Sequence, residues 1–331
     1  MSSEIFDSAP FYICTARQRP DLLKSLDQPD HPLNLLWPNF LDQDPIFQLF
    51  VPALTQIDYF AQYQFLAVEK CDVTNEEQVI GMARSIPFFW LEISNLCPVS
   101  RLSDHTKLLH TLPEGGYDAI LSRGIQQHLA QEGLCDPLGS PTLDPPNALS
   151  ALSVAVRKDR RKSGLAEIFI RTMKQVAIDQ GLSAMVVPLR PTSKPSHPKT
   201  SLAEYVRWTK GASYFAEGCP PDISNISSSI NSQQQDPEHV FDPWLRKHLR
   251  LGGQMVKVAH RSMRVRGSAE QWSNWTGVDF KGHALQHRCC DDSGVVEVNV
   301  PGGLVPVKYD YRTDVGIYVE PNIWIYHDLK S

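Results

Sequence analysis

The spacing of hydrophobic and polar positions changes twice between residues 148 and 190. Ala148 to Val156 is an apolar run broken by small residues, which predicts a buried or half-buried strand. From Leu165 the apolar positions follow helical spacing on one face, and we predict a helix that ends at Gly181. Ala184 to Leu189 is a second buried strand. The pattern therefore predicts a strand, a turn, a helix and a strand in direct succession.

The turn between the first strand and the helix is basic and contains a glycine. No carboxylate stands between Arg160 and Ala166. The first amides of a helix have no intrahelical acceptor and carry the positive end of the helix dipole. Gly164 would let a ligand approach the backbone closely. The turn predicts either a phosphate site at Arg161 to Ala166 or a solvated basic turn, and spacing alone favours neither.

The segment Arg161-Lys-Ser-Gly-Leu-Ala166 resembles the Arg/Gln-x-x-Gly-x-Gly/Ala signature of the GCN5-related N-acetyltransferase (GNAT) superfamily. It stands between a core strand and a long helix, as in that family. The resemblance implies an α+β fold with a central mixed, mostly antiparallel sheet flanked by helices. It also implies that the turn holds the pyrophosphate of an acyl-CoA, acetyl-CoA or another, while the preceding strand hydrogen-bonds the pantetheine arm. The cofactor-binding residues so predicted are Val154, Val156, Arg161, Lys162, Ser163, Gly164, Leu165 and Ala166.

A histidine further along the chain occupies a second position of the family pattern. The predicted helix Asp242 to Leu251 is followed by two glycines, and its last residues are similar to the Tyr-x-x-Leu-Gly-Phe end of the corresponding GNAT helix. By that resemblance His248 stands where the family's tyrosine often protonates the departing thiolate of coenzyme A. Periodicity alone favours a core histidine with a satisfied hydrogen bond. Arg190 and Tyr205 are the other predicted catalytic residues.

The sequence does not identify the general base. Many GNAT enzymes use a glutamate on the strand before the signature turn, but Ala148 to Val156 contains no acid. Glu92, Asp118 and His128 are possible substitutes, although each also fits an ordinary surface or capping residue. The asparagine that often follows the second core strand is replaced by Arg190 and its neighbours. These departures concern acceptor chemistry more than acyl-CoA binding.

Three functions are compatible with this pattern. The first is an acyl-CoA-dependent transferase, expected to be an acetyltransferase, that acts on a small-molecule amine or hydroxyl. The second is a GNAT-fold enzyme of another reaction class, such as a decarboxylase or lyase, in which a histidine and Arg190 would steer a carboxylate. The third is a non-catalytic module that binds an acyl-CoA or another metabolite.

Composition limits the remaining possibilities. The 331 residues carry a formal charge of -5, and no basic stripe with interleaved aromatics predicts nucleic-acid binding. No apolar run approaches the length of a membrane span. Seven cysteines without a leading apolar segment predict a reduced, cytoplasmic protein, and no Cys/His spacing predicts a metal. We expect a small-molecule substrate, without a prediction of oligomeric state.

The length suits one domain. We expect a GNAT-like core of about residues 11–260, insertions at 94–147 and 191–240, and a β-rich C-terminal extension at 261–331. Pro220 to Pro237 is mostly serine, asparagine and glutamine, which predicts a surface loop.

Overall fold

One mixed sheet organises the chain. The structure, a computed structural model, describes residues 11–28, 30–70, 75–95, 102–134, 144–210, 236–287 and 294–329. Within these ranges the strands are β1 Phe11–Thr15, β2 Gln64–Lys70, β3 Glu77–Phe88, β4 Ala148–Val156, β5 Ala184–Leu189, β6 Gly253–Gly267, β7 Val295–Val298, β8 Val307–Asp310 and β9 Val315–His327. Their order in the sheet is β1-β2-β3-β4-β5-β9-β8-β7, and β6 pairs with β9.

Helices of very different length connect the strands. In the described ranges the α-helices are α1 Pro20–Lys24, α2 Pro45–Phe50, α3 Ala53–Gln56, α4 Asp58–Ala61, α5 Thr106–Leu109, α6 Gly116–Gln131, α7 Leu165–Asp179, α8 Leu202–Tyr205, α9 Pro243–Arg250, α10 Ala269–Thr276 and α11 Phe280–His287. Most of the loop expected at Pro220 to Pro237 lies outside the described residues. No helix of the described ranges is long and apolar enough to cross a membrane.

β4 and β5 form a parallel pair, whereas the other paired strands run antiparallel. The parallel pairing joins Ala148–Ser150 to Ala184–Val186. Beyond it the strands separate, because β4 continues along β3 and β5 continues along β9. The β3–β4 register shifts between Arg84 and Ser85, which leaves Leu152 unpaired as in a β-bulge. The sheet therefore opens into a cleft at the carboxyl ends of β4 and β5.

Helices cover both faces of the sheet. On the α7 face, Phe169 of α7 and Leu245 of α9 are buried against the strands. On the α6 face, Ile120 of α6 is buried in a second cluster. A Cβ added at Gly124 of α6 would lie 2.6 Å from Cδ1 of Ile86, so this helix lies directly on β3. The α+β fold expected from the signature, with a mixed, mostly antiparallel sheet flanked by helices, is confirmed.

The C-terminal strand β9 lies inside the sheet. Its residues 323–327 pair with β5 on one edge and with β6 on the other. The boundary expected between a core ending near residue 260 and an extension from 261 falls within β6. The second half of β9 is buried on both faces, as is usual for a central strand. Periodicity shows that such a run is buried, but it does not show which strand becomes its neighbour.

Candidate functional site

The turn before α7 presents backbone amides without partners. Gly164, the N-cap of α7, adopts a left-handed conformation with φ of +88°, and no side chain caps the helix. Among the described residues, no acceptor bonds the amides of residues 162–166. A Cβ added at Gly164 would meet no atom within 4 Å, so this position borders open space. The turn thus offers several donors to an anion at the positive end of a helix.

A cavity of about 120 Å³ lies against this turn. Its lining residues are Val156, Arg160, Arg161, Lys162, Gly164, Leu165, Ala166 and Lys247. Six of the eight residues predicted to bind the cofactor are in this set. Of the other two, Val154 packs against the core of the α7 face, and the Ser163 hydroxyl donates to the carbonyl of Arg160 at 2.7 Å. The cavity has room for part of a ligand, with the turn as one wall.

The cations around the cavity differ in their pairing. Arg160 donates to both carboxylate oxygens of Glu69, at 2.9 and 2.7 Å, and these bonds raise the pKa of Arg160 and lower the pKa of Glu69. Arg161 and Lys162 have no acidic partner in the described part of the chain. Lys247 lies 3.9 Å from a Glu167 oxygen, at the limit of an ion pair. Three cationic side chains are therefore available to an anion in the cavity.

Asp242 fixes the helix that carries Lys247. One carboxylate oxygen accepts from the amides of the first turn of α9, each at 3.0 Å. The other accepts from the amide of Ser193 and from the hydroxyl of Tyr205, both at 2.9 Å. Burial raises the pKa of Tyr205, and Asp242 is only 1% exposed. Tyr205, predicted to be catalytic, thus has the contacts of a residue that positions α9.

His248 lies in the core between α9 and β9. Its Nδ1 is 2.9 Å from Nε2 of His327, and its ring meets the ring of Trp244 edge to face. Burial, and after it the neighbouring His327 and Lys247, hold the pKa of His248 well below its usual value. Burial also lowers the pKa of His327 to about 3. His248 is 1% exposed and does not line the cavity. Both imidazoles are therefore neutral at pH 7.

Arg190 belongs to a buried ion pair. Its Nε lies 2.9 Å from a carboxylate oxygen of Glu320, which is 0% exposed, and its Nη2 donates to the carbonyl of Gly302. The hydroxyl of Tyr318 donates to the same carboxylate at 2.7 Å. Arg190 also lies outside the cavity lining. The structure thus does not bring the three predicted catalytic residues together around the cavity.

The residues weighed as general bases have different surroundings. Glu92 is exposed in a 3₁₀ turn, and the ring of His128 stacks on Tyr59 with centroids 4.3 Å apart. Asp118, interpreted from sequence as a surface or capping residue, lies in the first turn of α6 and is mostly buried. Burial and the neighbouring Asp44 raise the pKa of Asp118 to about 9. Asp118 is therefore protonated at neutral pH in this structure.

The structure adds Lys247 to the residues proposed from sequence. The sequence placed Lys247 on the polar side of its helix, and it is one residue from His248. Only the packing of α9 beside the turn shows that this polar side borders the cavity. Among the described residues, no group of three or more His, Cys, Asp or Glu side chains could hold a metal ion. The site is therefore built from cations and backbone amides.

Comparisons with known proteins give one close relative and several distant structures. No family model matches the chain. It is 38% identical over 316 residues to the arginine N-acetyltransferase avaD of Aspergillus versicolor, covering 95% of this chain and 93% of that one. The loading GNATL domain of CurA from Lyngbya majuscula aligns at 11% identity with a TM-score of 0.42, covering 97% and 98% of the two chains. The GphF GNAT-like decarboxylase in complex with isobutyryl-CoA aligns at 14% identity with a TM-score of 0.39, covering 96% and 99%.

Proposed function

Because the chain belongs to the GNAT superfamily of acyltransferases, we propose that it transfers the acetyl group of acetyl-CoA to a nitrogen of a small cationic acceptor, arginine or a similar compound. The acceptor is suggested by the arginine N-acetyltransferase that matches nearly the whole chain. The reaction forms a C–N bond and breaks the C–S bond of the thioester. The acceptor nitrogen loses a proton, and the coenzyme A thiolate gains one.

The observation that carries the proposal is the set of unpartnered amides at residues 162–166, beside the cavity and at the N-terminus of α7. A pyrophosphate there would accept from these amides and approach Arg161, Lys162 and Lys247. Hydrogen bonds to a charged group contribute about 1.5–3 kcal/mol each. Gly164 supports this arrangement because it leaves the approach to the backbone open.

The cleft between β4 and β5 suits the rest of an acyl-CoA. In the described sheet, the edge of β4 after Ser150 that faces β5 has no strand partner. An extended chain of amides such as pantetheine can hydrogen-bond to such an edge in the manner of an added strand. With the pyrophosphate at the turn, the thioester would lie deeper in the cleft, where the strands begin to separate.

Proton transfer to the thiolate by His248 stays a prediction. Its lowered pKa makes the imidazolium form scarce at neutral pH, and a neutral imidazole is a weak acid. Its contact with His327 is that of a core residue. Turnover of a His248→Ala variant that still binds coenzyme A would distinguish the roles: near-parental turnover identifies packing, and a loss of about a hundredfold or more identifies proton transfer.

The function is tested by incubating the purified chain with acetyl-CoA and a panel of amines, guanidines and alcohols. We expect thiol release that depends on arginine or a similar acceptor, together with an acetylated product in the mass spectrum. Thiol release without an acceptor, or none with any acceptor, would contradict the proposal. Carboxylated acyl-CoAs in a parallel reaction detect a decarboxylase by loss of carbon dioxide. Coenzyme A binding without turnover of any substrate would identify a binding module.

A further inference from the structure

Three polar side chains lie together on the α6 face, near the point where β4 and β5 separate. We call them the α6-face cluster: Arg84 of β3, and Tyr117 and Asp118 in the first turn of α6. Arg84 lies directly opposite Ser153, which is beyond the last residue of β4 that pairs with β5. The cluster is therefore beside the cleft, on the opposite face of the sheet from α7.

Two members of the cluster each have a buried polar atom without a partner. The Nε of Arg84 and the Oδ1 of Asp118 are buried and make no hydrogen bond. Tyr117 is 7% exposed, and Arg84 and Asp118 are both among the groups that act electrostatically on its hydroxyl. A buried polar group left unsatisfied costs about 1–3 kcal/mol, and native proteins contain few of them. Two such atoms beside the same tyrosine indicate a site completed by a ligand.

Of the carboxylates near the cluster, Asp42 is close enough to Arg84 for their charges to interact, whereas Asp44 and Glu320 are satisfied by hydrogen bonds. Asp44 accepts from the amides of Ile46, Phe47 and Arg264, at 2.8, 3.0 and 2.6 Å. Glu320, as described above, accepts from the guanidinium and phenol groups beside it. These two residues stabilise the fold, whereas Arg84 and Asp118 each keep a buried atom without a partner, as do Gln64, Ser150, His248, Tyr326 and His327 among the described residues.

The charges specify the missing partners. Asp118 is held as a neutral acid because it is buried next to Asp44 and near Glu320, with no cation at its free oxygen. A cation placed there would stabilise the carboxylate and release its proton. Burial also lowers the pKa of Arg84, whose guanidinium needs an acceptor. Asp42 acts on Arg84 through its charge but does not bond its Nε. The cluster therefore lacks a cationic partner for Asp118 and a hydrogen-bond acceptor for Arg84.

We propose that the α6-face cluster binds the acceptor, and that the acceptor is a zwitterionic amino acid whose carboxylate pairs with Arg84 and whose cationic side chain pairs with Asp118. This inference rests on the proposed function and extends it, since it selects amino acids over simple amines. The planar fork of an arginine matches a carboxylate with two parallel hydrogen bonds. Arg84 and Asp118 are each partly exposed, so a ligand can reach them.

Calorimetry with arginine and with agmatine, which is arginine without its carboxylate, tests the pairing directly. We expect the parent to bind arginine at least about tenfold more tightly than agmatine. Arg84→Met should remove that preference by lowering the affinity for arginine alone, whereas Asp118→Asn should lower the affinity for both ligands. Arg266→Met, which removes an exposed arginine of β6, is the matched control and should keep the preference. Coenzyme A affinity, measured for every variant, shows that each one is folded.

Proton release gives an independent readout. In two buffers of different ionisation enthalpy at pH 7, the parent should release a proton when arginine binds, and Asp118→Asn should not. If Arg84→Met does not fold, Tyr117→Phe replaces it and should weaken arginine several-fold. The inference is overturned if the parent binds neither ligand, or if the cluster variants bind both ligands as the parent does. Cluster-dependent binding without acetylation would refute only the proposed function, and acetylation that is indifferent to the cluster variants would refute only this inference.

Discussion

Substitution of Gly164 by alanine separates backbone strain from ligand binding, because the chain contains a matched position. Gly164 and Gly181 stand at the two ends of α7, with φ values of +88° and +69°. A Cβ added at either one would meet nothing within 4 Å. The left-handed conformation costs an alanine about 1–2 kcal/mol relative to glycine at each position. We therefore expect both variants to lose this stability, which lowers the melting temperature of a chain of this length by about 1–2 °C for each kcal/mol.

Coenzyme A affinity should distinguish the two variants. Only Gly164 lines the cavity, and its new methyl group would keep a pyrophosphate away from the amides of residues 162–166. Loss of one charge-assisted hydrogen bond costs about 1.5–3 kcal/mol of binding free energy, which raises the dissociation constant about tenfold to hundredfold. Calorimetry with coenzyme A measures that constant, and thermal unfolding measures the strain. If Gly164→Ala binds as tightly as Gly181→Ala, or the parent does not bind, the pyrophosphate assignment is wrong.

Three further outcomes follow from the contacts described above. Lys247→Gln should lower the affinity for coenzyme A several-fold, and by less in high salt. Arg171→Gln, which removes the other partner of Glu167, should leave that affinity unchanged, and equal losses in calorimetry would contradict this. Arg190→Met should lower the free energy of unfolding in urea by about 3–5 kcal/mol because it leaves Glu320 charged and buried. The double variant Arg190→Met/Glu320→Met should recover most of that loss. If Arg190→Met alone is as stable as the parent, the ion-pair account is wrong. Because the folded pKa of His327 is about 3, the unfolded chain takes up this proton first as the pH falls below about 6.5. The free energy of unfolding should then decrease towards pH 3, with a contribution from His327 of at most about 1.4 kcal/mol per pH unit. His327→Gln should flatten this dependence on pH. If urea titrations show the same dependence for the variant, the buried neutral His327 is not its cause.

Local patterns made the region from Ala148 to Leu189 predictable. The strand, the turn, the helix and the second strand follow one another directly, and each has its own spacing of apolar residues. The structure places β4, α7 and β5 over the predicted residues. The position of β9 between β5 and β6 could not be predicted, because strand pairing over long sequence distances leaves no local signal.

Polar side chains were harder to place than apolar ones. Helical spacing correctly put His248 on the apolar side of α9, but it could not show a histidine on β9 as the partner. Asp118 has the sequence surroundings of a surface residue, and only the packing of α6 on the sheet buries it next to Asp44. The sequence predicts that Arg190 contacts a substrate, but its guanidinium is paired with Glu320. Periodicity reports which side of an element is buried, but not which polar groups meet there.

The central place of β9 has a consequence for the order in which the chain folds during synthesis. The edge of β5 that pairs with residues 323–327 is translated more than a hundred positions before them. At the usual rate of translation, this interval lasts on the order of 10 s. During that time β5, a fully apolar strand, has one edge that can pair with any other exposed strand. Nascent chains that have emerged past β5 but not yet as far as β9 should therefore be the form of this protein that most needs a chaperone.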